Sequence, residues 1–197
     1  SGRRRGDLPA EGMKPVFSDR DASLQQGELV RLRPFEPHDA ERYRTWVNDH
    51  EVARLIDHVG QVTRAEHEAW YWALVASPST SVFAIDRLAD GTFIGLVWLY
   101  DVHARHRRAE VRIVIGDRRA WGGGCGTDAL RVLVRIAFGP LKLEKLWADV
   151  LATNPRAAAA FESAGFMREG LLAGDRRQDN GRVDVIRLGI LRDPGDA

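Results

Sequence analysis

The chain has 197 residues, of which 44% are hydrophobic and 29% are charged, as is typical of a soluble protein with one well-formed core. A formal net charge of +1 argues against a nucleic-acid or polyanion binder. The single cysteine, Cys125, excludes an intramolecular disulfide and a multi-cysteine zinc site, and no apolar run reaches the roughly 18 residues of a membrane span. The sequence therefore predicts a reduced, cytoplasmic protein that acts on a small molecule.

Residues 1–27 are polar and show no sustained periodicity, so we expect a disordered leader that includes a cloning scar at Ser1-Gly2. One domain is expected over residues 28–192, followed by a short tail over 193–197. A strand with Val30 and Leu32 opens the domain. Two helices with apolar residues at helical spacing follow, and a capping box at Thr63 starts the second, in the segments HDAERYRTWVND and TRAEHEAWYWALVAS.

Three strands come next, and the turn Ala89-Asp90-Gly91 joins the first two into a hairpin: SVFAIDRL, TFIGLVWLY and HRRAEVRIVIGD. The second half gives a helix (TDALRVLVRIAF), a strand (KLWADVLA), a helix begun by Asn154 and Pro155 (NPRAAAAFESAGF), and two final strands. This order predicts a mixed α/β fold, with a mostly antiparallel, twisted sheet of about seven strands flanked by four helices.

A glycine-rich turn separates the fourth predicted strand from the third helix, with four glycines in the five residues 122–126. Glycine lets the backbone approach a ligand, and the free N–H groups of a helix start favour phosphate oxygens. The turn lacks the lysine of a P-loop, and it follows the wrong strand for a dinucleotide-binding fold. A flexible connection is the alternative interpretation.

The turn matches Arg-x-x-Gly-x-Gly from Arg119 to Gly124, and a second element runs from Asn154 to Phe166 as Asn-x-x-Ala…Phe-Glu-x-x-Gly-Phe. With these motifs, residues 28–192 resemble the GNAT superfamily of acyl-CoA-dependent N-acyltransferases. Several stretches are similar to bacterial spermidine N-acetyltransferases: HRRAEVRIVI, LKLEKLWADVLATN and NGRVDVIRLGIL. The ribosomal-protein and amino-sugar N-acetyltransferases share much of the same layout, so the branch stays open.

The resemblance implies a site for acetyl-CoA, without a metal, between two central strands that separate from each other. The backbone of Ile113, Val114 and Ile115 would pair with the pantetheine arm, although VRIVI would otherwise be an ordinary core strand. The remaining residues implied at the cofactor are Arg119, Gly122, Gly123, Gly124, Cys125, Gly126, Thr127, Asn154, Arg156, Ala157 and Phe161. Of these, Arg156 has a plain surface charge as its alternative interpretation, and Cys125 is expected to fit the turn rather than to react.

Acyl transfer to an amine requires that the nitrogen lose a proton. The resemblance makes Glu110 the candidate base, with an ion pair to a neighbouring arginine as the alternative. The family's usual tyrosine is replaced by Phe161, which cannot protonate a thiolate. Tyr100 is a candidate substitute, with simple packing as its alternative.

The acceptor is expected to contact the first two helices and the region of the third and fourth strands. The candidate residues there are Trp46, Asn48, Glu51, Trp72 and His103. A polyamine pocket favours several carboxylates, but the stretch LIDHVGQVT offers only Asp57. Aromatic residues suit an amino sugar, although AWYW also fits helix packing.

The sequence thus predicts direct transfer of an acetyl group from acetyl-CoA to a primary amine of a small molecule, of polyamine or amino-sugar type. The alternatives are acetylation of a protein N-terminus and a catalytically silent acyl-CoA-binding module. No nucleic acid or membrane is expected as a partner. No metal is expected either, because His103 and His106 have no third ligand at suitable spacing. The resemblance also implies a homodimer.

Overall fold

The computed structural model describes residues 25–178 and 181–193. Most of the expected leader and residues 194–197 of the expected tail lie outside these ranges. The described chain contains seven strands: β1 (Val30–Pro34), β2 (Ser81–Arg87), β3 (Phe93–His103), β4 (Arg108–Ile115), β5 (Lys145–Leu151), β6 (Met167–Gln178) and β7 (Gly181–Leu191). Its α-helices are α1 (Pro37–Val47), α2 (His50–Leu55), α3 (Arg64–Ala76), α4 (Cys125–Phe138) and α5 (Pro155–Ser163).

All seven predicted strands and all four predicted helices are present in the predicted order, and α2 is additional. This helix has six residues and buries only Val52, too short a segment for an apolar periodicity to be visible. Asp49 starts it by accepting the N–H groups of Glu51 and Val52 at 3.0 and 3.1 Å.

The strands form one mixed sheet in the order β1-β2-β3-β4-β5-β7-β6. Every neighbouring pair is antiparallel except β4 and β5, which are parallel because the chain crosses over through α4 between them. The predicted mixed, mostly antiparallel architecture is confirmed. Within the described ranges, no helix is long and apolar enough to cross a membrane.

Two hydrophobic layers cover the sheet. Helix α4 packs on one face through Leu130, Leu133 and Ile136, which have no solvent exposure, and α5 lies beside it. Helices α1 and α3 cover the other face over β2, β3 and β4, with Tyr43 and Tyr71 among their buried residues. Over β5 and β7 the same face carries the ion pair of Asp149 and Arg187 beside the ring of Trp147.

The two parallel strands separate after a short contact. Residues Arg108, Ala109 and Glu110 of β4 pair with Lys145, Leu146 and Trp147 of β5, and the pairing stops there. Val111–Ile115 continue along β3, while the rest of β5 continues along β7. One backbone edge of β4 therefore has no strand partner from Val111 onward, as predicted for the central strands.

Candidate active site

A cleft of about 870 Å³ opens where β4 and β5 separate. Residues Glu110–Ile115 form one wall, and Asp149, Val150 and Leu151 of β5 lie across from them. The glycine turn, the start of α5 and the inner sides of α1, α2 and α3 enclose the remainder. The free edge of β4 thus faces a space in which an extended ligand can accept and donate backbone hydrogen bonds.

The glycine turn closes one end of the cleft. Gly122 and Gly124 adopt φ of +76° and +83°, a left-handed conformation that favours glycine. Gly124 is also the N-cap of α4, so the unpaired N–H groups and the positive dipole end of this helix lie at the turn. Four of the predicted turn residues border the cleft: Gly122, Gly124, Gly126 and Thr127.

The side chain of Trp121 joins the turn to the free strand. Its indole N–H donates to the carbonyl of Ile115 at 2.6 Å. Gly123 and Cys125 do not border the cleft, and the Cys125 thiol is buried. Burial raises the pKa of this thiol, which disfavours the nucleophilic thiolate. This supports the prediction that Cys125 fits the turn.

The two predicted cofactor arginines differ in their positions. Arg119 has a side chain 75% exposed and donates to Asp117 at 3.0 and 2.8 Å, away from the cleft lining. Arg156 borders the cleft, with its guanidinium carbon 4.0 Å from the ring centroid of Trp121. Arg156 therefore places a positive charge at the cleft beside the turn.

The predicted residues of α5 all border the cleft. Asn154 caps the helix by accepting the N–H of Ala157 at 3.1 Å, and its amide donates to the carbonyl of Leu55 at 3.3 Å. Asn154 therefore ties α2 across the cleft to α5. Phe161 is 3% exposed and packs edge-on against Phe166, so the position of the missing tyrosine is an apolar surface.

Glu110 lies at the point where the two strands part, and its carboxylate accepts from Arg112 at 2.6 and 3.1 Å. Arg112 in turn lies 4.1 Å from the ring centroid of Tyr100, the partner of Glu110 in the β3–β4 register. Glu110 and Arg112 border the cleft, whereas Tyr100 is 40% exposed outside it. The arrangement combines both interpretations of Glu110, since the ion pair orients a carboxylate that still faces the cleft.

None of the five predicted acceptor residues, all in the described part of the chain, borders the cleft. Trp46 packs on Phe93 with ring centroids 5.0 Å apart, and Asn48 binds both backbone groups of Val62 at 2.8 and 2.9 Å. The other three lie elsewhere on the surface: Glu51 pairs with Arg118, Trp72 is 56% exposed, and His103 contacts His106.

Sequence reasoning missed the residues of α1, α3 and β3 that do border the cleft. Tyr43, His67, Trp70 and Trp98 form one contiguous group there. Their apolar periodicity is the same as that of core residues, so the sequence contains no signal that distinguishes them. Among residues 25–178 and 181–193, no group of three or more His, Cys, Asp or Glu could hold a metal ion.

Residues 30–167 match the acetyltransferase (GNAT) domain family. The chain belongs to this family. It is an acyl-CoA-dependent N-acetyltransferase, and acetyl-CoA is its co-substrate. The separated strands and the glycine turn fit the extended arm and the pyrophosphate of that molecule.

The chain is similar to several bacterial N-acetyltransferases. The chain is 30% identical to the spermidine N(1)-acetyltransferase of Escherichia coli K12 over 169 residues, which are 86% of this chain and 89% of that protein. It is 28% identical to the probable N-acetyltransferase YjcK of Bacillus subtilis, over 75% of this chain and 86% of the other. A crystal structure of the Vibrio cholerae spermidine N-acetyltransferase with CoA and spermine superposes with a TM-score of 0.77 at 25% identity, covering 82% of this chain and 95% of that one.

Proposed function

We propose that the protein transfers the acetyl group of acetyl-CoA directly to a primary amine of a small molecule, with both substrates bound in the cleft. The observation that carries this proposal is the separation of β4 from β5 beyond Glu110, which leaves a free backbone edge leading to the glycine turn. A single cleft holds the candidate base and the candidate cofactor groups, so no covalent intermediate on the protein is needed.

Residues of the chain position the two substrates and transfer protons between them and solvent. The thioester carbonyl of bound acetyl-CoA is the electrophile, and a backbone N–H on the free edge of β4 is suited to stabilise its developing oxyanion. The acceptor nitrogen forms a C–N bond as the C–S bond breaks. Of the two protons that the ammonium loses, one passes through Glu110 to solvent and the other ends on the CoA thiol.

The polyamine class is the first acceptor to test. Several relatives are spermidine N-acetyltransferases, and one structural neighbour is a complex with CoA and spermine. Three carboxylates border the cleft of this chain and suit a cationic acceptor: Asp57, Glu110 and Asp149. The amino-sugar class belongs in the same panel, because aromatic side chains also border the cleft.

We further propose a cytoplasmic homodimer. Edge strand β6 exposes Met167 and Leu171 by 72% and 60%, and such an edge is usually covered by another chain or element. The single cysteine is a free, buried thiol, which suits a reducing compartment. Light scattering on the purified chain tests the dimer, and a monomer at micromolar concentration would disprove it.

The proposed function is tested in two steps. Calorimetric titration with acetyl-CoA and CoA should show binding of both, and absence of binding would refute the proposal. Release of free CoA is then measured with spermidine, glucosamine and a peptide with a free α-amine. Activity confined to the peptide would indicate an N-terminal acetyltransferase, and binding without release over the whole panel would indicate a silent acyl-CoA-binding module.

A further inference from the structure

A group of aromatic side chains lies in the cleft beside Glu110, and we call Tyr43, His67, Trp70 and Trp98 the aromatic wall. Tyr43 and Trp70 stack with centroids 5.2 Å apart and 20° between their planes. His67 lies 5.6 Å from Tyr43 and 5.0 Å from Trp70, and Trp98 is edge-on to Tyr43 at 6.4 Å. All four border the cleft, so they give this part of its lining an aromatic, largely apolar character.

The aromatic wall lies on the same face of the sheet as the candidate base. Trp98 is the direct partner of Arg112 in the β3–β4 register, and Glu110 is two residues from Arg112 on β4. Side chains two residues apart on a strand share a face and are about 7 Å apart along it. An amine beside Glu110 can therefore carry a ring that reaches the aromatic wall through a short alkyl arm.

The carboxylates of the cleft are paired. Each carboxylate that borders it has an arginine partner: Glu110 has Arg112 at 2.6 Å, Asp149 has Arg187 at 2.9 Å, and Asp57 has Arg176 at 3.5 Å. The cleft does not therefore require an acceptor with several positive charges. A singly charged amine with an apolar body also matches its lining.

The His67 imidazole of the aromatic wall is incompletely hydrogen-bonded. The residue is 4% exposed, and its Nε2 has no hydrogen-bond partner among the described residues. The same holds for Nε2 of His58, which borders the same cleft. Because buried polar atoms are nearly always satisfied, two such nitrogens beside one cleft indicate a ligand with a polar group.

We propose that the aromatic wall binds the ring of a second class of acceptor, an arylalkylamine with a ring hydroxyl that hydrogen-bonds the His67 imidazole. The inference rests on the proposed function, because the chemical step is the same and only the acceptor differs. Burial lowers the pKa of His67, so the neutral imidazole can accept this hydrogen bond at neutral pH.

Initial rates of CoA release with the full chain test the proposal, using methylamine, 2-phenylethylamine, tyramine and spermidine. We expect kcat/KM for 2-phenylethylamine to exceed that for methylamine at least about tenfold, from burial of the ring. Tyramine should gain about three- to tenfold more from its hydroxyl. His67→Leu should remove this second gain and leave the first.

A pocket-filling variant tests whether the ring of the acceptor binds at the aromatic wall. Val62 borders the cleft and packs on the same hydrophobic cluster, so Val62→Phe should lower kcat/KM for tyramine at least about tenfold and leave methylamine unchanged. Val59 is on the same loop and 79% exposed, so Val59→Phe is the matched control and should change neither. This variant keeps the proposal testable if His67→Leu fails to fold.

The possible failures are distinguishable. If no amine releases CoA, the proposed function itself is wrong. If spermidine or methylamine is acetylated but the arylalkylamines are no better than methylamine, the function stands and the second acceptor class is disproved. If Val62→Phe instead blocks hexanoyl-CoA with methylamine and spares tyramine, the aromatic wall holds a longer acyl chain and the proposal is overturned.

Discussion

Glu110 combines a structural contact with a position at the cleft. Its carboxylate is 12% exposed and held by two hydrogen bonds from Arg112, whose guanidinium is itself held on the ring of Tyr100. This fixes the direction of the carboxylate at the point where β4 loses its neighbour. Orientation of this kind is what a general base needs, because proton transfer depends first on geometry.

Replacing Glu110 by Gln should lower kcat about 100-fold or more and leave the KM for acetyl-CoA unchanged, because the amide cannot accept the proton. Glu144→Gln is the control, since Glu144 forms an exposed pair with Arg107. Unchanged kinetics in Glu110→Gln would make Glu110 a structural partner of Arg112 only.

His67 should also link stability to pH. Because burial lowers its pKa in the folded state, the unfolded chain binds the proton first as the pH falls below the ordinary value of about 6.5. Stability from this group is therefore complete above that pH and is lost as the pH falls through the folded pKa. Urea unfolding at pH 7.5 and 5.5 should show a smaller difference for His67→Leu than for wild type. An equal difference in His67→Leu and wild type would show that His67 does not link stability to pH.

At the scale of elements, the turn between β4 and α4 depends on backbone conformation more than on side chains. Gly124 has left-handed dihedral angles and caps α4, and the indole of Trp121 anchors the turn to Ile115. The helix start can therefore direct its N–H groups into the cleft. The carboxylate of Asp128, one turn into α4, accepts the backbone N–H groups of Leu29 and Val30 at 2.8 and 3.0 Å, so this helix is also fixed to β1.

Gly124→Ala should weaken acetyl-CoA binding about tenfold, because a left-handed conformation costs a non-glycine residue roughly 1–2 kcal/mol and the turn will shift. Titration calorimetry measures the change. Gly91→Ala introduces the same strain, at φ +66° in the β2–β3 hairpin with nothing near the new methyl group. Equal loss of affinity in both variants would show that general destabilisation is the cause.

At the scale of the whole molecule, one buried ionic network joins the edge of the sheet to the first helix. Arg33 of β1 donates to Asp39 of α1 at 2.7 and 2.8 Å and to Asp86 of β2 at 2.8 Å. Asp39 and Asp86 are 2% and 5% exposed. Since α1 carries Tyr43, this network also holds one part of the cleft against the sheet.

Arg33→Met should lower the free energy of unfolding by about 3–5 kcal/mol, because two buried carboxylates lose their shortest ion pair. Urea denaturation measures this loss. Arg31→Met is the matched control on the same strand, since Arg31 is 52% exposed and lies 3.6 Å from Asp86, and its loss should stay below about 1 kcal/mol. A similar small loss for Arg33→Met would mean that the network contributes little.

Features that depend on local signals can be predicted from the sequence alone. The glycine turn, the Asn154 cap and the order of seven strands and four longer helices follow from residues close together in the chain. Helix α2 was missed because a six-residue helix has too few turns to show a periodicity. The departure at Phe161 was likewise readable from the motif alone.

Only the tertiary structure decided which side chains face the cleft. An apolar position on α3 looks the same whether it packs on the sheet or borders a cavity, so Trp72 was favoured, while Trp70 lies at the cleft. The sequence motif favours Arg119 over Arg156 at the cofactor, but in the structure only Arg156 of the two borders the cleft. The point where β4 leaves β5 is set by pairing between strands distant in the chain, and that pairing creates the cleft.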